Sequence, residues 1–237
     1  MGCKEHVETS YNIALESVVL LKNKDNVLPI SDKVKKIAVI GPNADDVQAQ
    51  LGDWSFGPRS HPEIPTLEYN ADYDISNIVT ILDGIKGKDF EVYYEKGCDV
   101  IDDEIENIQG AVEIAEKSDV IVAVVGDTIV LNGETRDRAN LDLTGAQEEL
   151  LKALKDTGKP LIVVLINGKP LTIPWIKENA DAIVEGWNPG AEGGNAISSI
   201  LFGDYNPSGK LSISFPKAVG QQPVYYNQLP GWHGGKY

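Results

Sequence analysis

The feature that most constrains this chain is a series of short, unbroken runs of valine, isoleucine and leucine set between stretches of helical character. Residues 36–41 read KIAVIG, 120–125 VIVAVV, 160–166 PLIVVLI and 182–185 AIVE. A strand with one wet face alternates apolar and polar side chains, and these runs do not, so both of their faces must be covered. The covering elements are predicted at residues 5–22, 75–85, 104–117, 146–156, 174–179 and 193–202. The first of these shows the helical recurrence most plainly, with Val7, Tyr11, Ala14, Leu15, Val18 and Leu21 on one stripe. Residues 90–94 and 211–215 add two shorter strands, and Thr144 with Gln147 reads as the N-cap and third position of a helix entry. The expected fold class is α/β: a doubly wound, mostly parallel sheet of five to six strands with helices on both faces. Residues 1–30 are expected to form an N-terminal helix and linker packing on one α/β domain, residues 31–237, which ends in an irregular tail.

Charge and composition then narrow the function classes. A formal net charge of −15 on 237 residues repels phosphate backbones and anionic headgroups, so neither nucleic acid nor a membrane surface is an expected partner. Apolar runs such as 120–125 are far too short to cross a bilayer. Cys3 and Cys98 sit in no CxxC or Cys/His cluster, so a disulfide framework and a zinc site are not expected, and no metal or organic cofactor is implied. Residues 1–6 lack the apolar core of a signal peptide, which leaves the compartment open between cytoplasm and secretion. Several familiar signatures fail. IAVIGPN at 37–43 opens like a dinucleotide-binding strand, but no GxGxxG follows. Residues 203–210 mimic a phosphate loop one residue too long, with Leu211 where a hydroxyl is needed. GxSxG and HExxH are absent, and His6, His61 and His233 flank no nucleophile.

Topology says where a ligand should sit. Right-handed crossovers place every loop leaving a parallel strand on one edge of the sheet, where open α/β folds bind their ligands. The loops concerned are residues 41–72, 97–103, 126–142, 167–172 and 186–192, and Trp54, Glu134 and Trp187 lie in three of them. An indole and a carboxylate on one rim suit a neutral polyhydroxylated ligand: the ring stacks on an apolar sugar face while the carboxyl group exchanges a proton. By composition alone, residues 133–143 also fit a solvated loop with local ion pairs. Trp54 equally fits a side chain folded on the core, and Trp187, before Asn188 and Pro189, better fits a packing role.

An ordered set of motifs goes further. Residues 17–23 (SVVLLKN) with 28–30 (LPI), 37–43 (IAVIGPN), 51–55 (LGDWS) and 96–99 (KGCD) come first. Gly133-Glu134 with Asp137-Arg138, GKP at 158–160, LING at 165–168, EGGNA at 192–196, LFGDYNPS at 201–208 and PVYYN at 223–227 complete it. In this order, from about residue 16 to 227, the chain resembles the C-terminal α/β-sandwich domain of glycoside hydrolase family 3. That resemblance implies exo-acting hydrolysis of β-linked glycosides of the β-glucosidase or β-xylosidase class, with a β-linked oligosaccharide or glycoside as substrate. It implies Glu134 as general acid/base, Trp54 flanking the leaving-group sugar, and Arg138 as a substrate-side orienting residue. It also implies a partner, a TIM-like barrel domain or subunit carrying the aspartate nucleophile. Such a barrel, about 250 residues, does not fit beside this domain in one chain of this length. Retaining glycosidases need two carboxyl groups about 5–5.5 Å apart, so the isolated chain is expected to lack hydrolase activity. The alternative from another class is a non-catalytic carbohydrate-binding or assembly module of a split glycosidase.

Overall fold

The computed structural model describes residues 3–55, 75–105 and 107–227. Six strands build one sheet among these residues: β1 (Val19–Asn23), β2 (Lys36–Ile40), β3 (Glu91–Glu95), β4 (Val120–Gly126), β5 (Leu161–Ile166) and β6 (Ala182–Glu185). Their spatial order is β1-β6-β5-β4-β2-β3. All neighbours are parallel except β1, which runs antiparallel along β6.

The period-two rule sorts the apolar runs onto two cores. Ile37 and Val39, with Val120, Val122 and Val124 and with Ile162, Val164 and Ile166, face α1 (Lys4–Ser17), α3 (Ile81–Lys86) and α7 (Gly193–Leu201). The alternate residues Ala38, Ile40, Ile121, Ala123, Val125, Leu161, Val163 and Leu165 face α4 (Ile108–Glu116), α5 (Gln147–Asp156) and α6 (Pro174–Asn179). Every residue of β4 and β5 is buried, which is why these runs show no polar alternation. Each fully buried Val, Ile or Leu contributes about 1.5–3 kcal/mol, and the two central strands therefore anchor both layers.

The expected α/β architecture is present, with differences at its margins that have local causes. The helix expected through residue 22 ends at Ser17; Val18 turns to φ −66°, ψ 134° and β1 follows. The apolar stripe does continue, but a β-branched, leucine-rich segment beside the open edge of β6 gains a hydrogen-bonded ladder, with Val19 opposite Glu185 and Leu20 opposite Val184. Residues 211–215 form no strand: Leu211 and Ile213 are exposed, and Phe215 packs under Trp187 with ring centroids 5.8 Å apart. Asp46 caps a short helix not expected from the sequence, α2 (Val47–Leu51), its Oδ1 accepting from the amides of Gln48 and Ala49 at 2.9 and 3.0 Å. Thr144 does not cap α5; its hydroxyl donates to the Val100 carbonyl, and Ala146 precedes the helix. The remainder of the long 42–72 loop, residues 56–72, lies outside the described residues, as do residues 228–237 of the irregular tail.

One glycine fixes the join between β2 and the centre of the sheet. Gly41 has φ +124°, and a Cβ there would lie 2.1 Å from the Val124 carbonyl oxygen. Both the backbone conformation and the space exclude a side chain. Gly41→Ala is expected to destabilise the chain by at least about 2 kcal/mol, measured as a lowered midpoint of urea unfolding; a midpoint within error of the parent would contradict this packing.

Candidate functional site

The winding of the sheet reverses between β2 and β4: β3 lies on one side of β2, whereas β4, β5 and β6 extend on the other. At such a reversal the loops leaving the two adjacent strands diverge and open a crevice at their carboxyl ends. The loop after β2 carries Trp54 and the loop after β4 carries Glu134. The two candidate residues thus come from the two strands that flank the switch point.

The end of β4 is held firmly. Gln147, fully buried, accepts from the Gly126 amide at 2.8 Å and donates to the Gly126 carbonyl at 3.0 Å, so a side-chain amide completes β4 past the point where its pairing with β2 has ended. The next residue, Asp127, is 2% exposed. Its Oδ1 accepts from Arg138 Nη1 at 2.9 Å and its Oδ2 from the Lys169 ammonium. Its backbone carbonyl accepts from Asn43 Nδ2 at 2.7 Å. Arg138 uses its other terminal nitrogen on the Asp142 carbonyl, 2.9 Å away. A buried carboxylate is tolerable only when its lone pairs are matched, and here loops after β4 and β5 supply the cations. Burial holds the Lys169 ammonium below its ordinary value and Arg138 adds to that, while the bond to Asp127 opposes both.

A second acidic group lies deeper. Glu185, the last residue of β6, is fully buried; it accepts from the Trp187 amide at 2.8 Å and from Asn167 Nδ2 at 3.3 and 3.4 Å. Desolvation pushes its carboxyl up to about 8, outweighing those two donors, with Asp127 contributing in the same direction. Glu185 is therefore held neutral near pH 7, which keeps a second negative charge out of the region around Asp127.

Above this floor the rim is open. Glu134 is exposed, and Trp54 is 74% exposed. The two are joined through their neighbours: Arg136 Nη1 lies 2.8 Å from Asp53 Oδ1, and Gly133, at φ +115°, presses its Cα against the same carboxylate. Thr135 sits at φ +66°, a conformation that costs a β-branched residue about 1–3 kcal/mol. Strained backbone directly after Glu134 is what a surrounding network must impose. Trp187, also at positive φ, packs on Phe215. A crevice of about 400 Å³ beside the switch point is lined by Pro42, Asp46, Lys96, Asp99, Asp102 and Thr128, apart from Glu134 and Trp54. No group of three or more His, Cys, Asp or Glu is placed to hold a metal ion among the described residues.

The structure thus brings Glu134 and Trp54 to one rim and turns Arg138 inward, onto Asp127. Sequence reading passed over Asp53, Asp127, Lys169 and Glu185. The signal available for Asp127 and Glu185 was an acidic residue at or just past the end of an otherwise apolar strand.

Comparison with known proteins agrees with this architecture. The model of the glycosyl hydrolase family 3 C-terminal domain matches residues 18–236. The chain belongs to that family. A beta-xylosidase of Formosa agariphila is 41% identical over 237 residues, covering 98% of this chain and 31% of the relative. A periplasmic beta-glucosidase of Salmonella typhimurium is 40% identical, covering 94% of this chain and 30% of its own length. Among solved structures, a beta-glucosidase involved in saponin metabolism from intestinal bacteria superposes with a TM-score of 0.88 at 38% identity, covering 100% of this chain and 36% of that one. A beta-glucosidase of Listeria innocua in complex with isofagomine gives 0.82 at 32% identity, covering 96% and 29%. The chain therefore spans about a third of the length of these relatives.

Glu185 gives the fold a defined pH signature. Its folded-state value of about 8 lies above the ordinary 4.5, so its contribution is full below about pH 4.5 and is lost as pH rises towards 8. Relative to Glu185→Gln, which cannot titrate, the unfolding free energy is expected to fall with pH across this window. The slope approaches about 1.4 kcal/mol per unit, and the two curves run parallel above pH 8. Urea titrations of both proteins at a series of pH values read this directly, and parallel curves throughout would refute a neutral buried Glu185.

Proposed function

We propose that this chain is the sandwich domain of a retaining, exo-acting β-glycosidase of the β-glucosidase or β-xylosidase class, and that Glu134 is its general acid/base. The observation that carries this reading is the position of Glu134: exposed, on the loop after β4, and tied across the switch point to the turn bearing an exposed Trp54. The names of the relatives, beta-xylosidase and beta-glucosidase, support the substrate class.

The chemistry follows from what the domain holds. Two carboxyl groups act in a retaining reaction: one attacks the anomeric carbon while the other protonates the departing oxygen, then activates water to release the covalent sugar. Glu134 is the proton donor and later the base. The nucleophile comes from a TIM-like barrel, in the same polypeptide or another, facing this rim. Trp54 offers an aromatic face to the leaving-group sugar, and Arg138, spent on Asp127 and on the Asp142 carbonyl, acts by orienting the loop. The α/β unit of this reading is the segment 31–237 together with β1, the strand that the segment 1–30 adds to its sheet.

A proton donor must sit near the second carboxylate and away from water to keep its proton at working pH. An exposed side chain without its barrel meets neither condition. The 237-residue chain is accordingly expected to release no nitrophenol from aryl β-glucosides or β-xylosides above the buffer rate; turnover by the pure chain would overturn the two-domain reading.

Substitution tests Glu134 itself. The chain is exchanged for the matching segment of the Salmonella relative, and Glu134→Gln is introduced. Substrates with poor leaving groups are expected to lose about 10²- to 10⁴-fold in kcat/KM. Dinitrophenyl glycosides, which need little protonation, should lose far less in the glycosylation step. Equal losses on both classes would discredit the assignment.

A further inference from the structure

Asp53 is placed to do more than solubilise a turn. Its carboxylate is mostly shielded, with the side chain 12% exposed and that of Arg136 18% exposed. One oxygen is bonded to a residue that follows Glu134, and the other lies against the glycine that precedes it. Oδ1 meets Arg136 Nη1 at 2.8 Å, and a Cβ added at Gly133 would fall 2.2 Å from Oδ2. Only glycine allows this approach, and its φ of +115° is one that few side chains adopt. Arg136 also donates to the Asn132 carbonyl at 3.3 Å, and its amide to the Gly133 carbonyl at 3.3 Å, so the guanidinium closes the base of the Glu134 loop.

Asp53 is fixed from behind as well. Gly52, at φ +79°, lies so close to Asn188 that a Cβ would sit 2.9 Å from that side chain's Cγ, and Asn188 Nδ2 donates to the Ala49 carbonyl at 2.8 Å. The Ser55 hydroxyl donates to the Gly52 carbonyl at 2.9 Å, which closes the turn around Trp54. Gln50 Nε2 donates to the carbonyls of Val79 and Gly190, both at 2.8 Å. The turn is thus rooted in the loop after β6, while its carboxylate reaches the loop after β4.

From this juxtaposition we propose that Asp53, paired with Arg136, is a positioning residue that latches the Trp54 turn to the Glu134 loop. The aromatic face and the proton donor then form one preorganised unit. The proposal rests on the reading of Glu134 and Trp54 as site residues, but the latch itself is a physical coupling that needs no sugar. A bound ring stacked on Trp54 meets the Glu134 carboxyl at a distance set by this ion pair and not by two independent loop fluctuations. Misplacement by 1 Å is enough to cost a proton transfer about 10²-fold. An ion pair shielded from water, with a charge-assisted hydrogen bond of good length, has the strength for this task that an exposed pair lacks.

The test uses the 237-residue chain itself, labelled with ¹⁵N and with 5-fluorotryptophan, the Trp54 resonance being assigned by its loss in Trp54→Phe. In the parent, backbone order parameters at residues 52–55 and 133–136 are expected near about 0.8. Asp53→Asn should lower those of residues 133–136 below about 0.6, and Arg136→Gln should reciprocally lower those of residues 52–55 and shift the Trp54 fluorine signal. Gly133→Ala, which forces the carboxylate away without removing it, should loosen both segments. Arg136→Lys, which retains the charge, should restore most of the order, and Asp53→Asn with Arg136→Gln should be no looser than either alone. Glu134→Gln should change neither segment. The latch is overturned if each substitution loosens only its own loop, or if the double variant is additive. If Asp53→Asn unfolds the chain, the Arg136 and Gly133 variants decide the question in the same way. Loss of the leaving-group signature at Glu134 would sink the catalytic reading and leave these couplings untouched, so the two failures are distinguishable.

Discussion

A single carboxylate, buried at the point where the central strand ends, organises everything built above it. Asp127 leaves β4 with 2% of its surface in contact with solvent and draws two cations from two different loops, Arg138 and Lys169. Removing either cation would leave one oxygen of the buried carboxylate without its donor, so both loops are bound to the strand end by the cost of the alternative. For Glu185 the donors are the neutral Trp187 amide and the Asn167 side chain, and burial pushes its carboxyl up, with Asp127 adding in the same direction. Two acids at the ends of β4 and β6, with β5 between them, are thus met differently, one by cations and the other by neutral donors.

Most of the architecture could be read from the chain itself, because a buried parallel strand advertises itself by the absence of polar alternation. Residues 120–125 and 161–166 carried that signal without interruption. The margins were harder for a physical reason. Val18 to Leu21 satisfies a helical stripe and a strand equally well, and the outcome was decided by an unpaired edge of β6 that no local pattern reveals. Thr144 and Gln147 have the spacing of a capping box, yet the threonine hydroxyl found the Val100 carbonyl and the glutamine found both polar groups of Gly126. Tertiary partners competed with the local ones and won.

The site was legible in the same uneven way. Topology alone directs the loops bearing Trp54 and Glu134 to one edge, so their meeting needed no side-chain information. The residues that hold them could not be identified so simply. Asp53 and Arg136 are 83 positions apart, and each looks like ordinary loop polarity until the fold brings them together. Lys169, in a turn after β5, reads as a solvated lysine by composition and is drawn inward only by Asp127. For a member of glycoside hydrolase family 3, the familiar motif letters mark these positions without saying what the side chains do; contacts supply that meaning.

The antiparallel strand β1 has a consequence for how this domain is handled. β6 would otherwise present a bare margin of amides and carbonyls beside a fully buried apolar strand, a template on which another copy's strand could add. Residues 19–23 seal that margin, and α1 continues the cover over Ala196 and Ile197 of α7 through Ala14 and Leu15. The opening segment is therefore a selvedge, the woven border that keeps a cloth from unravelling or snagging on its neighbour. A version trimmed to begin at the first parallel strand would keep every rim residue intact and still be prone to stick to itself.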